Sequence, residues 1–185
     1  METQSHVEAT QYLTFQLAGE EYAIGSLQVK EIIPYITLTT VPQTPASIRG
    51  VINLRGSVVP VIDIAVKLGL RPMPVTARSC VVIVETKCAG TGLIMGIVAD
   101  SVSQVIDLPP QEISPTPPFG PQIQIDLLRG MGRSGKKFVL VLDIDKVLGS
   151  DDAGTETRTI ISGARVADGN ARLRQSHNNH ETASA

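Results

Sequence analysis

The sequence predicts an all-β protein built from two small subdomains, and three observations carry that expectation. Its apolar residues fall in short, β-branched runs bounded by turn residues, its best helices are two single turns, and one stretch recurs later at constant spacing. At 185 residues the chain is long enough to bury a proper core. Each subdomain is expected to be curled or closed enough to protect its strand edges.

The elements follow in order. In residues 11–17, Leu13, Phe15 and Leu17 alternate with Tyr12, Thr14 and Gln16, the period of a strand. Gly19-Glu20-Glu21 reads as a turn, residues 22–24 as a returning strand and 29–33 as a third, which Pro34 interrupts. From Ile48, two β-branched arms flank Arg55-Gly56, where glycine suits the positive φ of a tight turn, so a hairpin is predicted. Pro60 lies in the second arm and cannot donate to a neighbour, which predicts an edge strand or a bulge there. The second half continues in the same style with strands over 80–85, 93–99, 102–108, 125–131 and 137–142. The two single-turn helices, over 63–69 and 143–149, each start on an aspartate able to cap the first amides and end on a glycine able to close the turn left-handed.

Those helices belong to the repeat. Setting residues 48–69 over 128–149, an offset of 80, matches Arg49-Gly50, Val59, Val61, Asp63-Ile64 and Leu68-Gly69 to identical residues, 8 of 22 positions. Residues 24–32 and 99–107 form a weaker echo ahead of each block. Two copies of one sheet-plus-turn unit are implied.

Composition narrows the function. Sixteen Lys plus Arg against 18 Asp plus Glu leave a net charge of -2, with no polybasic face for nucleic acid, and aromatics at 3% leave few stacking platforms. The longest apolar runs fall far short of the roughly 20 residues that cross a bilayer, and residues 1–10 do not read as a secretory signal, so a cytoplasmic protein without membrane insertion is expected. Cys80 and Cys88 are expected to be reduced thiols rather than metal ligands. All three histidines, His6, His177 and His180, sit in the ends expected to be flexible, residues 1–10 and 150–185, where at most a marginal helix over 164–173 is expected. The folded part, residues 11–149, therefore has no imidazole for general-base or metal chemistry, and neither catalytic residues, a metal nor a cofactor is predicted. Asp63 and Asp143 read as helix caps rather than a carboxylate pair. The proline-rich residues 109–122 read as a stiff connection, with a recognition sequence as the alternative. Charged residues embedded in apolar segments stand out instead: Arg55 at the hairpin turn reads first as a solvated turn residue, and the alternative is that it meets Glu31, which sits among Val29, Ile32 and Ile33, in an ion pair that shapes a binding surface.

The order of segments resembles the CheW family of chemotaxis coupling proteins over residues 11–149. The motifs are Phe15-Gln-Leu-Ala-Gly-Glu-Glu-Tyr-Ala-Ile, Val29-Lys-Glu-Ile, the string from Pro45 to Asp63 containing Asn53-Leu-Arg-Gly, Gly96-Ile-Val-Ala-Asp-Ser-Val, and the block from Leu128 to Leu148. The resemblance implies two interleaved, five-stranded SH3-like barrels over a shared apolar core. It also implies a non-enzymatic adaptor that couples the cytoplasmic tip of a methyl-accepting chemoreceptor to the regulatory domain of a CheA-type histidine kinase, peripheral to receptor arrays at the inner membrane. Carried over by motif, receptor binding falls to Val29, Gly50, Arg55, Gly96 and Val98, the signalling-associated charge pair to Glu31 and Arg55, and kinase binding to outer strands of the first subdomain around Leu13, Ile24 and Leu27. The rival readings are a small β-barrel protein that holds a metabolite in the cleft between its subdomains, and an enzyme built on Asp63, Asp100 and Asp143.

Overall fold

The computed structural model describes residues 11–72, 74–88, 91–117 and 125–149. The expected flexible ends, with all three histidines and the marginal helix, and part of the proline-rich segment lie outside the described residues. Among the described residues ten strands form: β1 (Gln11–Leu17), β2 (Glu20–Gly25), β3 (Val29–Pro34), β4 (Ile48–Leu54), β5 (Ser57–Ile62), β6 (Cys80–Cys88), β7 (Thr91–Ala99), β8 (Ser101–Asp107), β9 (Leu128–Ser134) and β10 (Lys137–Leu142). Two short helices, α1 (Ile64–Lys67) and α2 (Ile144–Gly149), follow β5 and β10.

The strands make two five-stranded sheets, ordered β8-β1-β2-β10-β9 (the terminal barrel) and β3-β6-β7-β5-β4 (the central barrel). The two orders are the same once β1-β2 is matched to β6-β7 and β3-β4-β5 to β8-β9-β10. Each barrel therefore takes its first hairpin from one repeat and its remaining three strands from the other. The registers carry this equivalence residue by residue: Ala23 pairs with Val141 in the parallel contact of the terminal barrel, and Gly96 with Val61 in that of the central barrel. Even the bulges correspond, one between β1 and β8 at Leu13/Phe15 and one between β3 and β6 at Val29/Glu31.

Because the barrels share the chain this way, strands are buried on both faces and three apolar cores result. Tyr12, Ala23, Leu108, Val139 and Val141 fill the terminal barrel, and Ile52, Val59, Val61, Val81, Ile83 and Val98 fill the central one. Between them lies the largest core, into which Leu13, Phe15, Leu17, Tyr22 and Ile24 project from one barrel and Val82, Val84, Met95 and Ile97 from the other.

The repeat has a physical basis in its glycines. Gly50 adopts φ +148°, and a Cβ there would lie 2.5 Å from the Thr39 carbonyl oxygen, which bridges to Val51 along the edge of β4. At Gly130 a Cβ would lie 2.6 Å from the Ser114 oxygen, where Ser114 bridges Met131 along β9. Both edges are thus covered by a crossing backbone that only glycine admits.

Several local expectations are corrected. The first turn is Ala18-Gly19 rather than Gly19-Glu20-Glu21, with φ +51° and +87°, and Asp100 Oδ2 accepts the Ala18 N–H at 2.8 Å. Strand β5 is not an edge; it lies between β4 and β7, but its pairing with β7 covers Val61 and Ile62, so Pro60 opposite Val51 withholds no donor from that contact. Residues 125–127 form a 3₁₀ turn ahead of β9 instead of its first residues. Gly69 is left-handed at φ +76° as expected, whereas Gly149 is not and is the last residue of α2.

Candidate functional site

Among the described residues, a groove of about 450 Å³ opens on the central barrel. Its floor and walls come from Leu54, Val58, Val59, Ile83, Leu93 and Ile94, and its rim carries Lys30, Glu31 and Arg55. Val58 and Ile94 are partly exposed there, at 37% and 38%. All of these residues belong to β3–β7 and the β4–β5 turn, so the groove lies within one barrel and not in the cleft between subdomains that the metabolite reading requires.

The rim charges are fixed by backbone geometry. Arg55 and Gly56 form a two-residue turn with φ +52° and +85°, which projects the arginine back over β3. Its Nη2 lies 2.8 Å from Glu31 Oε2, with the Arg55 side chain 80% exposed and that of Glu31 25%. Lys30 pairs with Glu85 on β6. The bulge in β3 falls at these two residues, so one irregularity sends a cation toward β6 and an anion toward the β4–β5 hairpin. An exposed pair of this type adds about 0–1 kcal/mol of stability, and its contribution lies in fixing the shape and sign of the rim.

The other residues singled out from sequence are placed differently. Val29 is half-buried against the central core, as is Val102 at the equivalent point of β8. Gly50, Gly96 and Val98 are buried. A Cβ on Gly96 would meet the Val81 side chain at 2.6 Å, so this glycine makes room inside the central barrel. Of Leu13, Ile24 and Leu27, placed by sequence on outer strands, Leu13 and Ile24 are buried in the core between the barrels, because both faces of β1 and β2 are covered. Leu27, in the 3₁₀ turn Ser26–Gln28, is 69% exposed. The structure therefore brings Glu31 and Arg55 together and leaves Val29 nearby on β3, while Gly50, Gly96 and Val98 lie buried. Sequence reading missed Lys30 and Val58; a basic residue next to Glu31 and an apolar one just after the hairpin turn were the available signals.

The aspartates have structural partners. Asp63 accepts the Val66 N–H through Oδ1 and pairs with Arg49 Nε at 2.9 Å through Oδ2; Asp143 accepts the Lys146 N–H; Asp100 holds the first turn. Burial pushes the Cys80 thiol up, with the Asp100 charge adding to the rise and a backbone hydrogen bond at Val102 opposing it. That thiol is a poor nucleophile at neutral pH. Among the described residues no group of three His, Cys, Asp or Glu side chains is placed to hold a metal, and no helix is long and apolar enough to cross a membrane.

Comparison with known proteins gives a consistent result. The CheW-like domain matches residues 11–152. The chain is 35% identical over 142 residues to the chemotaxis protein CheW of Klebsiella aerogenes, covering 77% of this chain and 83% of that one. It is 31% identical over 144 residues to CheW of Helicobacter pylori, covering 78% and 84%. The crystal structure of the scaffolding protein TtCheW from Thermoanaerobacter tengcongensis superimposes with a TM-score of 0.68 at 27% identity, covering 82% of this chain and 96% of that one.

Proposed function

The chain belongs to the CheW-like family, and from that premise we propose that it is a non-enzymatic adaptor that couples a chemoreceptor to a CheA-type histidine kinase in the cytoplasm. The observation that carries this reading is the open groove of the central barrel, with an apolar floor and a rim whose charges are held by the β3 bulge and the β4–β5 turn. A groove of that kind suits the apolar face of a helix, with the rim selecting among partners by charge. A receptor's cytoplasmic tip is the helical partner proposed. Of the receptor-binding residues, Arg55 and Val29 are the ones with surface to offer, and Gly50, Gly96 and Val98 are assigned to holding the barrel wall in shape. For the kinase regulatory domain, Leu27 is the residue of its set that offers an exposed apolar side chain.

The mechanism is geometric. An adaptor that binds two states of a receptor or kinase unequally biases the equilibrium between them, and many weak contacts in one array add through multivalency. The test is co-sedimentation of the purified chain with a receptor-tip fragment and a kinase regulatory domain, alongside kinase autophosphorylation, with Arg55→Glu as comparison. The adaptor reading predicts capture of both and altered autophosphorylation, weakened by Arg55→Glu. Failure to bind either fragment sinks it. The metabolite reading predicts instead a ligand-dependent rise in melting temperature with no protein partner present.

A further inference from the structure

The two barrels build the same hairpin in different ways. In the terminal barrel the β9–β10 turn is Gly135-Lys136, and the positive φ of +61° falls on the glycine. In the central barrel the residue at that same position is Arg55, which holds φ +52° despite its side chain. A hairpin of this length therefore does not require an arginine in the left-handed region, and backbone strain retained at one copy of a repeat points to a use for it. What differs beside it is Asn53. Its Oδ1 accepts the Gly56 N–H at 2.8 Å, closing the turn from outside. The equivalent residue in the other barrel, Arg133, instead donates from Nε to the Gly135 carbonyl at 3.2 Å.

We propose that Asn53 is a positioning residue: its side-chain oxygen locks the Arg55-Gly56 turn so that the Arg55 guanidinium is presented to Glu31, and partner recognition at the groove depends on Asn53 although it need not touch the partner. The partner half of this inference rests on the adaptor reading; the positioning half does not. The Asn53 side chain is exposed and belongs to none of the three cores, so its replacement is expected to leave the fold in place.

The test uses the full ¹⁵N-labelled chain as wild type, Asn53→Ala and Asn53→Asp, the last keeping an acceptor oxygen. In Asn53→Ala the Gly56 amide should exchange faster and the Arg55 backbone coupling and Nε–Hε resonance should shift, while Asn53→Asp stays close to wild type. Affinity for a receptor-tip fragment should fall about 2- to 10-fold in Asn53→Ala, the loss of one modest hydrogen bond. A second background guards against an unfolded variant: with Arg55→Gly and Gly56→Lys, which install the other barrel's turn, Asn53→Ala should change neither the exchange rate of the residue-56 amide nor the affinity further. Unchanged Gly56 exchange and Arg55 signals in Asn53→Ala, or an Asn53→Asp that behaves like Asn53→Ala, would overturn the positioning role. A wild-type chain that ignores the receptor fragment would overturn the adaptor reading, with the spectra still deciding the role of Asn53.

Discussion

The central and terminal barrels share strand order, bulge position, an edge covered at a glycine and an aspartate-capped helix, yet the central one carries the charged groove. Aligned by register, Glu31 corresponds to Gln104 and Arg55 to Gly135, so the terminal barrel cannot form the rim pair. At its own bulge the backbone of Gln104 is tied inward: the Thr14 hydroxyl donates to the Gln104 carbonyl at 3.0 Å and accepts its N–H at 3.2 Å. Phe138, at the position of Val58, stands exposed beside Lys136 and Lys137. The two scaffolds are equivalent, and a few residue differences at one bulge and one turn make them chemically unlike.

The largest test of that contrast concerns the two caps. Asp63, 4% exposed, caps α1 and pairs with Arg49, whose side chain is 31% exposed; replacing it by Ala should cost about 2–4 kcal/mol, the loss of a cap together with a charge-assisted hydrogen bond. Asp143, whose side chain is 28% exposed and only 3.5 Å from Lys146, should cost about 1 kcal/mol. Urea unfolding of the two variants reads the difference, and equal costs would remove it. Next come the edge glycines. Gly50→Ala suffers both a contact with the Thr39 carbonyl and a left-handed φ, and should cost about 3 kcal/mol. Gly130→Ala suffers overpacking without that φ and should cost about 1–3 kcal/mol in the same assay.

A smaller effect should appear on the alkaline side. Burial raises both Tyr22, with help from the Glu20 charge, and Cys80, and both side chains face the core between the barrels. The unfolded chain ionises these groups first, so their contribution is complete below the ordinary thiol and phenol values of 9.0 and 10.0 and is lost as pH rises through the higher folded values. Thermal melts across that range should show stability falling above pH 9.0, and less steeply in Tyr22→Phe. The smallest expected stability change is at the rim itself: Arg55→Ala should shift unfolding by about 0–1 kcal/mol, since the pair is largely solvated.

Much of this molecule was legible in its sequence because the signals were local. Alternation in 11–17, the Arg55-Gly56 turn and the two capping aspartates each depend on a few adjacent residues, and all appear in the structure. The interleaving of the barrels came only through the family resemblance; the residues themselves did not show it, since pairing Ala23 with Val141 leaves no trace in either segment. That interleaving also explains why Leu13 and Ile24 were misplaced: a strand covered on both faces breaks the rule that one face meets water. The Glu31–Arg55 contact could be suspected from two charges in apolar surroundings, but the groove beside it could not, because Val58, Ile83 and Ile94 come from separate strands.

The central claim, that the clamped rim of the central barrel selects the partner, is tested most directly by charge reversal at the rim. Receptor-dependent kinase autophosphorylation would be measured with wild type, Arg55→Glu, Glu31→Arg and the double exchange, with Gly135→Arg plus Gln104→Glu as the terminal-barrel counterpart. If the rim pair sets the surface, both single reversals lose most of the coupling, the double exchange recovers part of it, and the terminal-barrel pair leaves it unchanged. Full coupling in both single reversals, or loss from the terminal-barrel pair alone, would contradict the account.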